Sequence, residues 1–398
     1  MISVAEALAI IARNTFPRGV EQIPLQEALG RVLARDVVSD TDWPPFETSA
    51  MDGYAVRMAD VSLPGRALNE RAAPVAAGSA LPSPLLPGEA VRVMTGAPLP
   101  DGTEAVIPVE RAQREAGRVL FEIAPAPGAH LRRRGESVRE GTRVVSAGRR
   151  VTPGDVALAA LAGADTLTVF TRPRAAIAAP GNELVPAAEK PRPGQIRDSN
   201  GPMLASLCRA QGWAAAARRR VADDGAGIAA LFDSAGKEED VLLTSGGVSA
   251  GDFDLLPGIA RRQGFEILFH GVSIRPGKPI AFARRGGTLW FGLPGNPVSS
   301  SVCFHVFVRY ALGRLEGDPS PGAPRVSARL ARDLPPGGKR ETYRDAVLEN
   351  AGGLALVEPV TSAGSHDIAA HARANALILV PAGATPQPAG ATVECLLL

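Results

Sequence analysis

The alternation of hydrophobic and polar residues divides the chain into segments with different periods. Residues 1–40 begin with apolar positions at helical spacing and predict a helix, a turn at "FPRG" and a second helical stretch, "PLQEALGRVLA", interrupted near Gly30. From about residue 44 to 150 the runs are short and β-like, such as "VRVM", "AVIPV" and "RVLFEIA", with Pro and Gly turns between them. This region predicts a small β-domain.

The β-domain is expected to be an insertion. The stretch "PGDVALAALAGADTLTVF" predicts a helix opened by Pro153 and a following strand. These two elements could pack against the first forty residues. The chain would then enter and leave the β-domain through one neighbouring module.

Strand-like and helix-like runs alternate between residues 172 and 317. Strands are predicted in "AAIAAP", "AAARRRVADD", "DVLLTSGG", "FEILFHGV", "PIAFA" and "TLWFGLPGN", and helices in "GPMLASLCRAQG", "AGIAALFDSAG", "LLPGIARRQG" and "PVSSSVCFHVFVRYALG". This alternation indicates a mainly parallel sheet covered on both faces, whose ligands sit beyond the carboxyl ends of the strands. After the linker "EGDPSPGAP", residues 324–398 return to short β-like runs and predict a further β-module.

Composition argues against several classes of protein. The formal charge of +2 is balanced, and the "RRR" runs at 132–134 and 218–220 come without a nucleic-acid-binding signature, so we expect no nucleic-acid partner. The sequence has no apolar stretch of 18 residues and no signal peptide, so we expect a cytoplasmic protein without membrane association. Cys208, Cys303 and Cys395 lie far apart and are expected to be buried small side chains rather than disulfide partners or zinc ligands.

The strand "DVLLTS" leads into a glycine loop at Ser245, Gly246 and Gly247. Glycines permit positive φ angles and let backbone N–H groups approach a ligand, so the loop is suited to a phosphate or another oxyanion. Asp252 and Asp254 follow, and carboxylates beside a phosphate require a bridging cation, for which Mg²⁺ is the natural choice. The alternative is that Asp252 simply caps the next helix.

Two other loops are candidates for the same site. In "GLPGNPVSSS" the chain runs from a strand into a helix, with Asn296 at the N-cap and Pro297 at the first helical position, although the motif alone is an ordinary turn. "RPGKP" carries Arg275 and Lys278, and we interpret it as a third strand exit of the same sheet. A lysine in an arginine-rich chain suits a compact charge aimed at a phosphate, with a solvated loop cation as the alternative. Pro279 stands where a Walker motif requires Ser or Thr.

Further carboxylates follow the first two strands of the predicted sheet. Glu183 lies in "APGNELV", and Asp223 and Asp224 end "VADD". Each could be a helix cap or a solvated carboxylate. Because four strand ends carry acids or glycines, we expect them to mark one binding edge.

Five motifs together resemble the molybdopterin molybdenumtransferase family of the MoeA type, which is related to the E domain of gephyrin. They are "SAMDGYAVR", "MTGAPLPDGTEAVIPVE", "GQIRDSN", "TSGGVSAGD" and "GLPGNPVS", in order along nearly the whole chain. The resemblance implies insertion of molybdenum from molybdate into adenylylated molybdopterin, with release of AMP and magnesium assistance. The alternatives are a molybdopterin adenylyltransferase, which shares only the sheet domain, a non-catalytic molybdopterin-binding scaffold, and a member that prefers tungstate.

The resemblance also implies an architecture. We expect a homodimer of elongated four-domain subunits with a central MoaB/Mog-like, doubly wound, mainly parallel α/β domain, an inserted β-rich domain and a C-terminal β-barrel-like domain. The α/β domain of one chain would face the β-domain of its partner. Expected partners are the molybdopterin adenylyltransferase and the proteins that guanylylate the cofactor or mature molybdoenzymes. The expected domain bounds are 1–43 with 142–171, 44–141, 172–317 and 324–398.

The positions that match the family motifs give the expected site residues. Catalytic roles fall on Asp52, Thr95, Glu183, Asp223 and Asp254, and the last three would bind Mg²⁺. Substrate contacts are expected from Ser245, Gly246, Gly247, Ser249, Arg275, Lys278, Pro294, Gly295, Asn296, Pro297 and Ser365. The local sequence around Asp52 and Thr95 does not by itself indicate a functional role for either residue.

The chain departs from the family pattern in places. Arg275 stands where lysine is common, which keeps the charge but replaces a point donor by a planar fork. Ser137 stands where aspartate is usual. Asp345 takes the place of an arginine, with Arg344 directly before it, so the resemblance assigns no ligand contact to Arg340 or Arg344.

Overall fold

The computed structural model describes residues 1–62, 65–221, 224–248 and 255–398. Within these ranges, no helix combines the length and the apolar character needed to cross a membrane. The helices of the first 171 residues are α1 (Val4–Asn14), α2 (Met58–Val61) and α3 (Pro153–Leu161). The strands of this part are β1 (Val20–Pro24), β2 (Val37–Val38), β3 (Thr48–Ser49), β4 (Gly53–Val56), β5 (Ala67–Glu70), β6 (Glu89–Val93), β7 (Ala105–Pro108), β8 (Ala112–Glu115), β9 (Arg118–Phe121), β10 (Leu131–Arg132), β11 (Arg143–Val145) and β12 (Thr166–Phe170).

The predicted N-terminal helix is confirmed as α1. A capping box begins it: the Glu6 backbone N–H donates to Ser3 Oγ at 3.2 Å, and the Ser3 N–H donates to Glu6 Oε2 at 2.7 Å. Its buried face, Val4, Ala7 and Ile11, belongs to the core of the α/β sheet. The helix therefore ties the N-terminus to the part of the chain that begins at residue 172.

The second predicted helix, "PLQEALGRVLA", is wrong. Its helical part in the structure is a single 3₁₀ turn, Leu25–Glu27, and Gly30 adopts a φ of 73°. The residues just before it form β1, which pairs antiparallel with β12 from Val20↔Phe170 to Pro24↔Thr166. This pairing with a strand distant in sequence favours an extended conformation more strongly than the local spacing of apolar residues favours a helix. The predicted helix at Pro153 and its following strand are confirmed as α3 and β12.

The polypeptide between β2 and β11 carries a six-stranded sheet in the order β7-β4-β6-β5-β9-β8. Side chains of β4 alternate between two clusters: Tyr54 and Val56 pack on one face, and Ala55 packs on the other. This period of two is what a strand requires when both faces of its sheet are covered. The short β-like runs predicted here are confirmed by β6, β7 and β9.

Residues 172–317 contain the longest alternation of strands and helices. The helices are α4 (Asn200–Ala210), α5 (Gly225–Ser234), α6 (Leu255–Arg262), α7 (Pro297–Cys303) and α8 (Arg309–Leu315), and a π-helical segment, Phe304–Val308, joins the last two. The strands are β13 (Arg174–Pro180), β14 (Leu184–Val185), β15 (Ile196–Arg197), β16 (Ala214–Val221), β17 (Val241–Ser245), β18 (Glu266–His270), β19 (Ile274–Arg275), β20 (Ala281–Arg285) and β21 (Thr288–Leu293).

The central sheet has the order β16-β13-β17-β21-β20-β18. The first four strands are mutually parallel, and β20 and β18 continue the sheet antiparallel. Leu243 packs into the core on one face and Leu242 into the core on the other, so both faces are buried. Double burial explains the continuous apolar runs of these strands and confirms the doubly wound, mainly parallel α/β prediction.

The C-terminal part forms a closed barrel. Its elements are β22 (Arg325–Leu330), β23 (Glu341–Ala351), β24 (Leu354–Pro359), α9 (Ile368–His371), β25 (Ala376–Val380) and β26 (Thr392–Leu397). The strand order β23-β24-β22-β26-β25 closes through pairing of β23 with β25, and β19 adds to β23 in parallel. The predicted fold class, with a barrel-like C-terminal domain, is confirmed. Cys208, Cys303 and Cys395 are free and buried, as predicted.

Candidate active site

The loops after β17 and β21 lie side by side at the carboxyl edge of the central sheet. These strands are neighbours, with Ser245 opposite Leu293, and the Gly246 N–H donates to the Leu293 carbonyl at 2.9 Å. The Asn200 amide, at the start of α4, donates to Ser245 Oγ and to the Gly295 carbonyl, both at 2.7 Å. One buried side chain thus fastens both loops, as expected where parallel strands end together.

The glycine loop requires its glycines. Gly246 and Gly247 have φ angles of 95° and 67°, in the left-handed region that other residues avoid. A Cβ on Gly247 would also lie 2.8 Å from Leu256 Cδ1. These positive φ angles turn the chain sharply after β17, where the Gly246 N–H is bonded to the Leu293 carbonyl, and the oxyanion nest at Ser245 to Gly247 stays a prediction. The predicted site residues Ser249 and Asp254, and the candidate cap Asp252, lie outside the described residues.

The loop after β21 connects the sheet to the barrel. Pro294 is buried, Gly295 is exposed, and Pro297 opens α7 as predicted. Asn296 occupies the N-cap position, but its side chain makes no capping hydrogen bond. Its amide donates instead to Ser365 Oγ at 2.9 Å, so two of the predicted contact residues meet here.

The prediction that "RPGKP" leaves a strand of the central sheet is wrong. Arg275 ends β19, which belongs to the barrel sheet, and Lys278 precedes β20. Because β20 runs antiparallel to β21, its amino end lies at the carboxyl edge of β21, where Ala281 is opposite Gly292. The loop therefore reaches the predicted edge by a different route.

A large cavity of about 910 Å³ lies between this edge and the barrel. In its described lining, Asn296, Ser299 and Ser365 stand beside five cationic and two acidic side chains. These are Arg275, Lys278, Arg332, Arg340 and Arg344, and Asp333 and Asp345. The excess of guanidinium and ammonium groups makes the cavity suited to an oxyanion. Burial, and secondarily the charge of Arg275, lower the pKa of Arg344.

Sequence reasoning left Arg340 and Arg344 unassigned and overlooked Arg332, yet all three line the cavity. Arg340 Nη1 donates to the Ile274 carbonyl at 3.1 Å and so braces the strand that carries Arg275. Arg332 lies just after β22, and its local sequence carries no signal, since only closure of the barrel brings it to this wall.

The predicted carboxylates are placed unevenly. Glu183 is exposed after β13, and its Oε2 lies so close to Gly181 that a Cβ there would approach within 2.7 Å. Asp224 caps α5, accepting from the Gly227 N–H at 2.7 Å. Asp223 falls outside the described residues. Among the residues the structure describes, no cluster of three or more His, Cys, Asp or Glu side chains could hold a metal ion.

Asp52 and Thr95 form a pair of their own on the inserted sheet. Thr95 donates to Asp52 Oδ1 through its backbone N–H at 2.7 Å and through its hydroxyl at 2.8 Å. These two bonds, the backbone one first, hold the pKa of the exposed Asp52 below its usual range. Both residues lie outside the lining of the cavity within this subunit.

Sequence reasoning also missed a buried chain of hydrogen bonds beside the cavity. His371 Nε2 lies 2.8 Å from Ser301 Oγ on α7, and His371 Nδ1 lies 2.7 Å from Asp345 Oδ1 on β23. The three side chains are separated along the sequence and carry no common motif. Only the packing of the barrel against the sheet brings them together.

These features define a multidomain α/β protein with a glycine loop at the carboxyl edge of its central sheet and a cationic cavity beside it. Family models match in succession: the MoeA N-terminal region (domain I and II) over residues 2–163, the probable molybdopterin binding domain over 176–314, and the MoeA C-terminal region (domain IV) over 327–398.

Named relatives match over the full length. The chain is 38% identical to molybdopterin molybdenumtransferase 2 of Mycobacterium tuberculosis, covering 99% of both chains, and 32% identical to the molybdopterin molybdenumtransferase of Bacillus subtilis, covering 100% of this chain and 94% of the relative. A crystal structure of a molybdopterin biosynthesis MoeA protein from Pyrococcus horikoshii aligns with a TM-score of 0.85 and 29% identity, covering 100% of both chains. The chain belongs to the molybdopterin molybdenumtransferase (MoeA) family.

Proposed function

We propose that this protein inserts molybdenum from molybdate into adenylylated molybdopterin and releases AMP. The observation that carries this proposal is the adjacency of two anion sites. The glycine loop, with its positive φ angles at Gly246 and Gly247, would let the backbone approach a phosphate closely, and the cationic cavity offers fixed charges for an oxyanion. The loop of Asn296 contributes to both, because it is fastened to Ser245 through Asn200 and lines the cavity itself.

The adenylylated substrate is assigned to the sheet edge. Ser245, Gly246, Gly247 and Ser249 would hold the phosphates from one side, and Pro294, Gly295, Asn296 and Pro297 would hold them from the other. Lys278 would reach the pyrophosphate as a compact charge. An oxygen of molybdate or of water would attack the phosphoanhydride, and AMP would leave as that P–O bond breaks. Lys278 would stabilise the negative charge that develops on the leaving oxygen.

Molybdate is assigned to the cavity. Its doubly charged tetrahedron needs several donors, and Arg275, Arg340, Arg344 and Ser365 surround enough space to supply them. In this assignment Arg275 forms one wall of the molybdate site. Arg340 and Arg344, to which the family pattern assigns no ligand contact, contribute further donors.

Mg²⁺ is assigned to the acids at the strand ends, Glu183, Asp223 and Asp254. The Glu183 carboxylate lies close to Gly181, just after the end of β13. A bound Mg²⁺ would neutralise phosphate charge at this edge. Asp254→Ala should abolish AMP release while the protein remains folded, and full turnover by this variant would remove Asp254 from the assignment.

Asp52 and Thr95 are proposed to act across a homodimer, facing the sheet edge of the partner subunit. The two hydrogen bonds from Thr95 favour the ionised form of the Asp52 carboxylate and fix its orientation. A carboxylate held in this way is suited to face a second chain. We place the protein in the cytoplasm, in keeping with its three free cysteines, between a molybdopterin adenylyltransferase and proteins that guanylylate or insert the cofactor.

Lys278→Gln tests the assignment of the sheet edge. Removing the ammonium should lower the rate of AMP release by about two orders of magnitude, since stabilisation of developing charge is the largest contribution expected from such a group. Lys237→Gln is the matched control, because Lys237 is an exposed lysine that follows α5, at the opposite edge of the sheet. Equal rates for the two variants would contradict the proposal.

A further inference from the structure

Three buried side chains join the helix after β21 to the barrel. Ser301 on α7, Asp345 on β23 and His371 in α9 have relative exposures of 1%, 8% and 9%. His371 lies between the other two, with Nδ1 at 2.7 Å from Asp345 Oδ1 and Nε2 at 2.8 Å from Ser301 Oγ. Buried polar groups with good geometry on both sides fix the orientation of the imidazole ring.

Asp345 is one of two acidic residues in the described lining of the cationic cavity, and its carboxylate is bonded to His371. An oxyanion in the cavity would share its lining with this acidic residue. Two negative charges at close range in a poorly hydrated site repel strongly. An anion site with a carboxylate in its wall therefore needs a means of directing that charge away from the ligand.

His371 supplies such a means. The Ser301 hydroxyl can donate to Nε2, which places the ring proton on Nδ1, and that N–H then donates to Asp345 Oδ1. The hydrogen bond draws the carboxylate toward the imidazole and stabilises its charge there. Because Ser301 anchors the far side of the ring, the donor stays aligned with Asp345.

The order Ser301, His371, Asp345 also occurs in hydrolases that use a serine nucleophile, but this site does not support that chemistry. Ser301 lies inside α7 between Ser300 and Val302, and all three are buried. A substrate carbonyl could not reach its hydroxyl.

We propose that His371 is a positioning residue that keeps the Asp345 carboxylate turned from the cavity and thereby allows a tetrahedral oxyanion to bind there. The inference rests on the proposed function, in which the cavity takes molybdate. It attributes the anion specificity of the cavity to the pair His371 and Asp345 and not to the cationic side chains alone.

The test is calorimetric binding of molybdate to the full-length protein, without the pterin substrate. His371→Gln should weaken binding about tenfold, because the carboxylate is then free to approach the anion. The double variant His371→Gln/Asp345→Asn should recover the lost affinity, since the amide has nearly the same shape and no charge. A merely structural role for His371 would not be rescued by a change at Asp345, so a double variant that binds as weakly as His371→Gln overturns the proposal.

Asp333→Asn provides a matched control. Asp333 also lines the cavity, but its Oδ1 accepts from the Ala389 N–H at 2.8 Å rather than from a histidine. Combined with His371→Gln it should restore little affinity. Rescue as strong as that by Asp345→Asn would show a general effect of charge and would contradict the specific role of the pair.

A second variant covers the case in which His371→Gln does not fold. Ser301→Ala removes only the anchor of the ring and should weaken molybdate binding about threefold, with rescue again by Asp345→Asn. Normal binding by His371→Gln or, failing that, by Ser301→Ala overturns this inference alone. If the unaltered protein does not bind molybdate, the assignment of the cavity fails and the inference fails with it.

Discussion

Gly277 holds the loop of Arg275 and Lys278 against the helix beneath it. Its φ is 116°, and a Cβ at this position would lie 2.5 Å from Cys303 Sγ, which is fully buried in α7. Gly277→Ala should therefore push the loop away from α7. We expect molybdate affinity to fall about tenfold and the free energy of unfolding to fall by about 1–3 kcal/mol.

Gly286→Ala is the control for Gly277→Ala. Gly286 also has a positive φ, 56°, but an added Cβ would meet nothing within 4 Å. Calorimetry and denaturant unfolding should show a loss of about 1 kcal/mol with unchanged molybdate affinity. If both variants bind molybdate normally, contact between the loop and α7 does not position the cations.

Asn200 is the residue on which the geometry of the sheet edge depends. Asn200→Ala would leave Ser245 Oγ and the Gly295 carbonyl without their shared donor, at a cost of about 1–3 kcal/mol. AMP release should fall by at least about tenfold, because the loops after β17 and β21 are then free to separate. Asn14→Ala removes an amide that bonds only the Ile10 carbonyl, at 2.8 Å on α1, and should leave the rate unchanged. Wild-type turnover in Asn200→Ala would contradict the clamping role.

The sequence predicts local structure well where the residue type decides the backbone conformation. The positive φ angles of Gly246 and Gly247 are predictable because a strand that ends in two glycines favours a sharp turn whatever surrounds it. Asn200 lies in "GQIRDSN" without a local reason for a role, since its partners come from two other loops. Arg332 and His371 depend on how the barrel packs, and no spacing along the chain indicates them.

The π-helical segment between α7 and α8 carries a buried histidine. Burial first, then Arg309 and His371, lower the pKa of His305 to about 3. In the unfolded chain this group takes up its proton near 6.5, so between these two values the unfolded state binds more protons. Its contribution to stability is therefore fully present above about pH 6.5 and is lost progressively as the pH falls.

We expect the free energy of unfolding to fall by about 1.4 kcal/mol per pH unit on account of His305 over the middle of this range. Urea unfolding of the wild type and of His305→Gln, compared at about pH 7.5 and about pH 5, isolates this contribution. The wild type should lose more stability than the variant. Parallel pH dependence of the two proteins would show that His305 is not held neutral.

For helices and strands, the sequence predicts the element correctly where the hydrophobic period matches the way in which the element packs. The alternating strands and helices of residues 172–317 were predicted because each parallel strand is apolar on both faces and each helix is bounded by turn residues. The stretch after β1 was predicted wrongly, because Val32 and Leu33 form bridges to Arg150 and Val169 that no local pattern reveals. The direction of β20 was missed for the same reason, since the partner of a strand lies elsewhere in the chain.

In the whole molecule, a buried ionic network joins the first module to the central sheet. Glu316, after α8, is fully buried, and its Oε2 accepts from Trp213 Nε1 at 2.9 Å and from Arg150 Nη2 at 3.1 Å. Arg150 also bonds Asp318 Oδ2 at 2.7 Å. The network links the module that carries Arg150 to the α/β domain.

Glu316→Ala should destabilise the protein by about 1–3 kcal/mol, because it leaves the buried indole N–H of Trp213 without its acceptor and removes one acidic partner of Arg150. Glu394→Ala is the control, since Glu394 pairs with Arg325 at 2.6 Å on the barrel surface and should cost less than about 1 kcal/mol. Thermal unfolding of both variants measures the difference. Similar losses would show that the Glu316 network does not hold the modules together.

The central claim is that the carboxyl edge of the central sheet and the cavity beside it act together. Release of AMP from adenylylated molybdopterin is then coupled to insertion of molybdenum into the pterin. The direct measurement is incubation of the purified protein with adenylylated molybdopterin, Mg²⁺ and molybdate, with AMP and pterin-bound molybdenum quantified in the same sample. We predict equal amounts of AMP and inserted molybdenum, with little of either when the oxyanion is omitted. AMP formed at the same rate without molybdate, or adenylylation of molybdopterin from ATP, would contradict the account.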